Sequence, residues 1–134
     1  MTDSVERIPK LMAVDDDVAS AELIVRIAER CDYEAFATSD PRGVIALAKA
    51  LKPDLLAVDI CMPNIDANSL FVLLKEAEYT GTIILVSGQD QQILNSTAAY
   101  GRSLGLDVPY VLQKPLPIAE LRSFLSEYRP KLAA

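Results

Sequence analysis

Histidine and tryptophan are absent from this sequence of 134 residues, and cysteine occurs only as Cys31 and Cys61. Without histidine, zinc sites built from cysteine and histidine are excluded, and so are Ser-His-Asp and Cys-His catalysis. Two cysteines far apart in the sequence do not form a disulfide framework for a domain of this size. We therefore expect reduced thiols and a cytoplasmic protein.

Long apolar runs and an excess of basic residues are also absent. No apolar run approaches the length needed to cross a membrane, and the polar segment from Met1 to Lys10 lacks the apolar core of a signal peptide. The net charge of −6 argues against direct nucleic-acid binding, which needs a basic face. A chain of 134 residues is long enough for one domain, and we expect a single domain over 1–134 with its core at about 11–129.

Short apolar runs alternate with segments of helical periodicity along the whole chain. This alternation predicts an α/β fold, with five parallel strands, helices on both faces of the sheet and right-handed crossovers. The strands are expected at about 11–14, 33–37, 54–59, 82–87 and 108–112. The helices are expected at about 18–30, 41–51, 68–78, 91–104 and 117–129.

Several details of the helices follow from the same patterns. Asp16 or Asp17 is expected to cap the first helix, and Pro41 and Pro130 mark a helix start and a helix end. The third helix is expected to bury Leu70, Leu73, Leu74 and Ala77, and the fourth to present Ile93, Thr97, Tyr100 and Leu104 on one face.

The strand from Leu55 to Asp59 is apolar until its last residue, as expected for a strand buried on both faces. Since the carboxyl ends of parallel strands share one edge, polar residues that follow the other strands should lie near Asp59. Three clustered carboxylates repel one another unless a hard divalent cation such as Mg²⁺ neutralises them. A hydroxyl and an ammonium nearby suit the oxygens of a phosphoryl group. The residues expected at this edge are Asp15, Asp16, Asp59, Ser87 and Lys114.

This set, in this order, resembles the receiver domain of two-component response regulators over about Leu11 to Tyr128. The resemblance implies a flavodoxin-like, doubly wound (βα)5 fold with strand order 2-1-3-4-5. It also implies a signalling module that accepts a phosphoryl group from a histidine kinase or a phosphotransfer protein. The markers are Asp15-Asp16, Asp59, Met62-Pro63, Asp66, Ser87-Gly88 and Lys114-Pro115.

Roles for individual residues also come from the resemblance. Asp59 is implied as the phosphoacceptor, and Asp16, Asp59 and the main-chain carbonyl of Cys61 as ligands of Mg²⁺. Asp15 is implied to hold a metal-bound water. Lys114 and the Ser87 hydroxyl would bind phosphoryl oxygens, and the Lys114–Pro115 peptide is implied to be cis.

The sequence departs from the family pattern at several positions. Val111 stands where an aromatic residue usually couples to the hydroxyl, with Tyr110 beside it, and Ala67 replaces the glycine that usually follows Asp66. Leu116 replaces a frequent phenylalanine, and the segment between Ser87 and Lys114 is longer than usual. We therefore expect a fourth helix of greater length and coupling through a residue other than a tyrosine at position 111.

The output of such a module is left open by the sequence. The fourth helix, fifth strand and last helix are the expected output surface, facing an effector, an output domain or a second copy in a homodimer. The segment from Tyr100 to Leu116 is similar to receivers attached to cyclic-di-GMP phosphodiesterase (EAL-type) outputs.

Two rival interpretations remain. A Mg²⁺-dependent phosphatase of the haloacid dehalogenase class also has acids after its first strand, and there Asp15 would be the nucleophile and Asp17 the acid/base. A pseudo-receiver would bind partners without phosphorylation.

Overall fold

A computed structural model describes residues 8–40, 43–61 and 66–128. Strands and helices alternate throughout this part of the chain, as the sequence predicts. The strands are β1 (Lys10–Val14), β2 (Glu34–Thr38), β3 (Leu55–Asp59), β4 (Thr82–Ser87) and β5 (Asp107–Gln113). The helices are α1 (Val18–Arg30), α2 (Val44–Leu51), α3 (Ala67–Glu76), α4 (Gln91–Ser103) and α5 (Ile118–Glu127).

The strands form one parallel sheet in the order β2-β1-β3-β4-β5, which confirms the expected topology. The central strands β3 and β4 are buried along their whole length, whereas the edge strands β2 and β5 are partly exposed. A strand covered on both faces needs apolar side chains in both directions, which explains the continuous apolar runs.

Successive residues of the central strands face two separate apolar layers. Leu56, Val58 and Leu85 pack with α2, α3 and α4. Leu55, Ala57 and Ile84 pack with α1 and α5 on the opposite face. This alternation follows from the two-residue period of a strand, and it leaves only the ends of the strands available for polar groups.

Aspartates begin three of the five helices at the carboxyl edge of the sheet. The carboxylates of Asp17, Asp66 and Asp90 accept hydrogen bonds from the main-chain N–H groups of the first turns of α1, α3 and α4. Such caps satisfy N–H groups that have no partner within the helix. The expected cap of α1 is therefore confirmed at Asp17.

The buried face of α4 differs from the predicted one. Leu94, Ala98 and Gly101 are buried, whereas Ile93 and Tyr100 are 42% and 38% exposed. The two faces have the same spacing and are offset by one residue, so periodicity alone did not separate them. Gly101 decides between them, because a Cβ atom there would lie 3.0 Å from the Phe71 ring and 3.1 Å from Val108, and glycine lets α4 pack closely.

Two further expectations concern α3 and the prolines. Leu73 is 43% exposed instead of buried, and Phe71 is fully buried in the face of α3 that meets the core. The proline signals at Pro41, Pro63 and Pro130 lie outside the described residues. Within the described segments, no helix combines the length and the apolar character that a membrane crossing requires.

The amino edge of the sheet, opposite Asp59, is closed by a polar network. The Thr82 hydroxyl donates to Asp107 Oδ2 at 2.8 Å and lies 2.8 Å from the Tyr128 hydroxyl. The Tyr128 hydroxyl also donates to the main-chain oxygen of Asp54 at 3.3 Å. These bonds satisfy buried polar groups and attach the residue that follows α5 to the starts of β4 and β5.

Gly81 lies beside this network, and a substitution there tests how closely the network is packed. A Cβ atom at position 81 would lie 2.8 Å from the main-chain oxygen of Asp54, which already accepts the N–H of Thr82. We expect Gly81→Ala to lower the free energy of unfolding by about 1–3 kcal/mol, because the backbone must shift to make room. Urea denaturation measures the change.

Gly43→Ala is the matched control. No atom lies within 4 Å of a Cβ atom at position 43, and Gly43 has right-handed helical dihedral angles. This substitution should be neutral or stabilise the protein by roughly 0.4–1 kcal/mol. Equal urea midpoints for the two variants would contradict the tight packing at Gly81.

Candidate functional site

The carboxyl ends of four strands bring the expected residues to one edge. Asp59 and Ser87 are the last residues of β3 and β4, whereas Asp15 and Lys114 directly follow β1 and β5. The register pairs Asp59 with Val86 and Ser87 with Gln113, so the strand ends are level. The sequence prediction of a shared edge is therefore confirmed.

Lys114 joins the two buried acids of this edge. Its ammonium Nζ lies 3.1 Å from Asp15 Oδ2 and 3.4 Å from Asp59 Oδ2. Asp15 and Asp59 are only 1% and 5% exposed. Carboxylates this buried need a compensating charge and hydrogen bonds, and Lys114 supplies both to the pair.

The second oxygen of each buried carboxylate is held by a main-chain N–H group two residues later. Asp15 Oδ1 accepts from Asp17 N, and Asp59 Oδ1 accepts from Cys61 N, each at 2.9 Å. Both acids thus stabilise the turn that follows their strand. These contacts fix the orientation of both carboxylates.

Asp16 completes a cluster of three acids. It is exposed, and one carboxylate oxygen each of Asp15, Asp16 and Asp59 lie within 4.8 Å of one another. A single ammonium cannot neutralise three carboxylates. The donor set consists of carboxylate oxygens, so it fits a hard divalent cation.

The pKa values of Asp15 and Lys114 reflect this environment. Burial is the largest influence on Asp15 and raises its pKa, although hydrogen bonds from Asp17 N–H and Lys114 act in the opposite direction. Burial acts to lower the pKa of Lys114, but the hydrogen bond to Asp15 and the charges of both acids outweigh it and raise that pKa. Lys114 therefore stays charged at neutral pH.

Ser87 lies at this edge, and its hydroxyl oxygen bonds to a residue outside the acidic cluster. The side chain is fully buried, and its Oγ accepts the N–H of Gln89 at 3.2 Å. In the described segments the hydroxyl makes no hydrogen bond with Asp59 or Lys114. The main chain links the two strand ends, since Lys114 N–H donates to the Ser87 carbonyl at 2.8 Å.

Cys61 contacts the site through its main chain and through its side chain. The side chain is exposed, and its sulfur accepts a hydrogen bond from Gln89 Nε2 at 2.8 Å. The N–H group holds Asp59, whereas the expected role of the Cys61 carbonyl as a metal ligand stays a prediction.

The fifth strand confirms one expectation and explains one departure from the family pattern. The Lys114–Pro115 peptide is cis, as the resemblance implies. Val111 packs against the core on the α4 side of the sheet. Tyr110 instead stacks on Phe124 of α5, with ring centroids 5.2 Å apart, and its hydroxyl donates to Glu120. Tyr110 therefore does not replace the missing aromatic residue.

Sequence reasoning missed Gln89 and Gln113. The Gln113 side-chain amide donates to the main-chain oxygen of Gln89 at 3.1 Å, and the Gln89 amide contacts Cys61. Neither glutamine stands in a recognisable motif, and an exposed glutamine is ordinary. Their positions, just after β4 and at the end of β5, were the signal that they lie near the site and near each other.

The raised pKa of Asp15 gives a test of the site without metal. A carboxyl with a raised folded-state pKa favours folding when protonated and loses this contribution as the pH rises through that pKa. In EDTA at pH 7, Asp15→Asn should therefore raise the urea midpoint. The gain should shrink as the pH is lowered and the wild-type carboxyl takes up its proton.

Asp17→Asn is the control, because its effect on stability at pH 7 should have the opposite sign. The Ser20 hydroxyl donates to Asp17 and lowers its pKa, so the charged form is favoured in the folded state. This variant should lose a little stability at pH 7. A lower midpoint for Asp15→Asn than for wild type at pH 7 would show that the contact with Lys114 outweighs burial.

Comparisons with known proteins agree with this geometry. The chain is 26% identical over 98 residues to the alkaline phosphatase synthesis transcriptional regulatory protein PhoP of Bacillus subtilis, which covers 73% of the chain. It is 29% identical over 85 residues to the chemotaxis protein CheY of Listeria monocytogenes, covering 62% of the chain and 71% of CheY. The match spans only 40% of PhoP.

Solved structures and a family model extend the match over most of the chain. A response regulator from Colwellia psychrerythraea superposes with a TM-score of 0.79 at 30% identity, over 90% of this chain and 95% of that one. Residues 11–126 match the model of the response regulator receiver domain. The chain therefore belongs to the response regulator receiver domain family and is a receiver of two-component signalling.

Proposed function

We propose that Asp59 accepts a phosphoryl group from a phosphohistidine of a histidine kinase or phosphotransfer protein. The observation that carries the proposal is the contact of one ammonium, Lys114 Nζ, with the buried carboxylates of Asp15 and Asp59. These 134 residues contain no histidine, so they do not themselves supply the phosphohistidine. We further propose that residues 1–134 act as one receiver unit.

The chemistry at Asp59 follows from the contacts of its two oxygens. Cys61 N–H holds Oδ1, and Lys114 contacts Oδ2. An oxygen of Asp59 would attack the phosphorus in line, so that an O–P bond forms while the bond from phosphorus to the donor imidazole breaks and leaves its electron pair on nitrogen. Lys114 would then pair with an oxygen of the transferred group.

The acidic cluster as a whole would bind the cation. Asp16, Asp59 and the Cys61 carbonyl would hold Mg²⁺ directly and Asp15 through a water, and the bound ion would neutralise charge on the phosphoryl oxygens. The acids are close enough to share one ion, because one carboxylate oxygen of each lies within 4.8 Å of the others.

Ser87 would bind the phosphoryl group once it is on Asp59. A phosphoryl group on Asp59 adds strong acceptor oxygens beside a hydroxyl that has no contact with the acids in the resting structure. Ser87 would donate to one of these oxygens, with help from the Gly88 N–H, and the segment after β4 would move with it.

The surroundings of the site suggest how partners approach. Val18 and Ile118 are 60% and 42% exposed, and each is the first residue of a helix that starts at the carboxyl edge. We propose that they flank the path of a donor protein. Ile93 and Tyr100 on α4 give an exposed apolar surface for an effector, an output domain or a second copy.

Because the match covers only 40% of PhoP, an attached output remains a proposal, and the EAL-type resemblance remains a prediction. We expect the reaction to occur in the cytoplasm, where free cysteines such as Cys31 and Cys61 stay reduced.

The phosphatase interpretation has less support. Asp17 would have to serve as acid/base, but its carboxylate accepts hydrogen bonds from Ala19 N–H and the Ser20 hydroxyl and caps α1. The pseudo-receiver interpretation requires an incomplete site, whereas Asp59, Ser87 and Lys114 are all present at one edge.

Intact-mass measurement after incubation with Mg²⁺ and acetyl phosphate tests the phosphoacceptor. We expect one phosphoryl group on wild type and none on Asp59→Asn, which keeps the shape but lacks the nucleophile. An adduct that survives Asp59→Asn and disappears in Asp15→Asn would favour the phosphatase. A wild type without any adduct would support the pseudo-receiver.

Thermal unfolding tests the cation site. A cation that binds only the folded state stabilises it by about 1.4 kcal/mol when its concentration is ten times the Kd. Mg²⁺ should therefore raise the Tm of wild type more than that of Asp16→Asn. Asp16→Asn also removes one of three clustered carboxylates, so without Mg²⁺ its Tm should equal or slightly exceed that of wild type. Equal Mg²⁺ shifts would remove Asp16 from the cation site.

A further inference from the structure

Gln89 connects the ends of three neighbouring strands at the carboxyl edge. Its N–H donates to Ser87 Oγ at 3.2 Å, and its side-chain Nε2 donates to Cys61 Sγ, just beyond β3, at 2.8 Å. Its main-chain oxygen accepts from Gln113 Nε2, at the end of β5, at 3.1 Å. We call Gln89 and Gln113 together the glutamine clamp.

The clamp supports a segment that has few other contacts. Beside Gln89, no atom lies within 4 Å of a Cβ atom built on Gly88. The Ser87 hydroxyl hydrogen-bonds to Gln89 N–H and, among the described residues, to nothing else. Val111 has no group that can hydrogen-bond to this hydroxyl, and Tyr110 is engaged with Phe124 and Glu120. The β-sheet fixes the main chain of Ser87, and the clamp holds Gln89, whose N–H is the partner of the Ser87 hydroxyl among the described residues.

From this geometry we infer that Gln89 and Gln113 are positioning residues that hold Ser87 away from Asp59 in the resting state. The inference rests on the proposed phosphorylation of Asp59. In the proposed phosphorylated state the Ser87 hydroxyl would exchange its bond with Gln89 N–H for one to a phosphoryl oxygen on Asp59, and the segment 87–89 would move with it. This movement changes the distances from Gln89 to Cys61 and to Gln113, so the clamp stabilises the resting arrangement alone.

The direction of the effect follows from a two-state equilibrium. A contact present in only one state shifts the equilibrium towards that state, and removing it raises the population of the other. One neutral hydrogen bond corresponds to a factor of roughly 2–12 in such an equilibrium. The bond from Gln113 should contribute more than the bond from Gln89 to sulfur, because a thiol sulfur is a weak acceptor.

Beryllium fluoride with Mg²⁺, a non-covalent mimic of the phosphoryl group, is the probe. We expect Gln113→Met, which keeps the length of the side chain but removes the donor, to tighten binding by a few-fold to about tenfold in an amide NMR titration. Gln89→Ala should tighten it less. A variant that only destabilised the fold would bind beryllium fluoride more weakly. The direction of the change in affinity therefore separates a positioning role from destabilisation.

Gln91→Ala is the control for loss of a glutamine near the same segment. Among the described residues the Gln91 amide donates to Asn95 within α4 and to none of the clamp residues, so the affinity should match that of wild type. Unchanged or weaker binding in both Gln89→Ala and Gln113→Met would overturn the inference, as would equal tightening in Gln91→Ala.

Hydrogen exchange in the resting protein separates failure of the clamp from failure of the phosphoacceptor. Without Mg²⁺ or beryllium fluoride, Gln113→Met should exchange the amides of Gly88, Gln89 and Asp90 faster than wild type does. Unchanged exchange would overturn the clamp alone. A wild type that binds no beryllium fluoride would instead refute the phosphoacceptor, and the inference about Ser87 would fail with it.

Discussion

The contact of the Lys114 ammonium with Asp15 and Asp59 is the interaction on which the rest of this edge depends. Two carboxylates that are 1% and 5% exposed cannot remain charged without a compensating cation. Lys114 supplies that charge from a third strand, and its ammonium contacts both carboxylates. The same arrangement leaves net negative charge, because Asp16 adds a third carboxylate. The three carboxylates and the ammonium together therefore carry a net negative charge that suits a hard divalent cation.

The fold is what brings these charges together at short range. All strands of the sheet are parallel, and the register places the ends of β3, β4 and β5 at one level. The residues inside the strands are apolar and face two layers of helices, so polar chemistry is confined to the ends of the strands. Each buried acid also accepts a main-chain N–H group in the turn that follows it. The turns orient the two carboxylates, and the Lys114 side chain joins them.

Much of the fold and the membership of the site could be predicted, because both follow from strong local signals. Apolar runs that end in Asp59 and Ser87 mark two strand ends, and parallel topology makes those ends meet. The buried face of α4 could not be predicted, since Ile93 and Leu94 are both apolar and only the close contact at Gly101 selects Leu94. The contacts of the glutamine clamp could not be predicted for another reason. A side-chain amide hydrogen-bonds to many kinds of polar neighbour, so its partners depend on three-dimensional position. The direction of the Ser87 hydroxyl depends on the same contacts.

The network around Tyr128 has a consequence for geometry at the far side of the molecule. The Tyr128 hydroxyl is bound to Thr82 and to the Asp54 carbonyl, at the starts of the strands whose other ends carry the chemistry. The place where the chain leaves α5 is therefore anchored to the sheet, a full strand length from Asp59. The two ends of the sheet therefore differ: the carboxyl end carries the segment after β4, whereas the amino end holds Tyr128 through its contacts with Thr82 and the Asp54 carbonyl. A segment joined after Tyr128 would start from a fixed point on the sheet. It would respond to a change in the exposed surface and not to a movement of its own attachment.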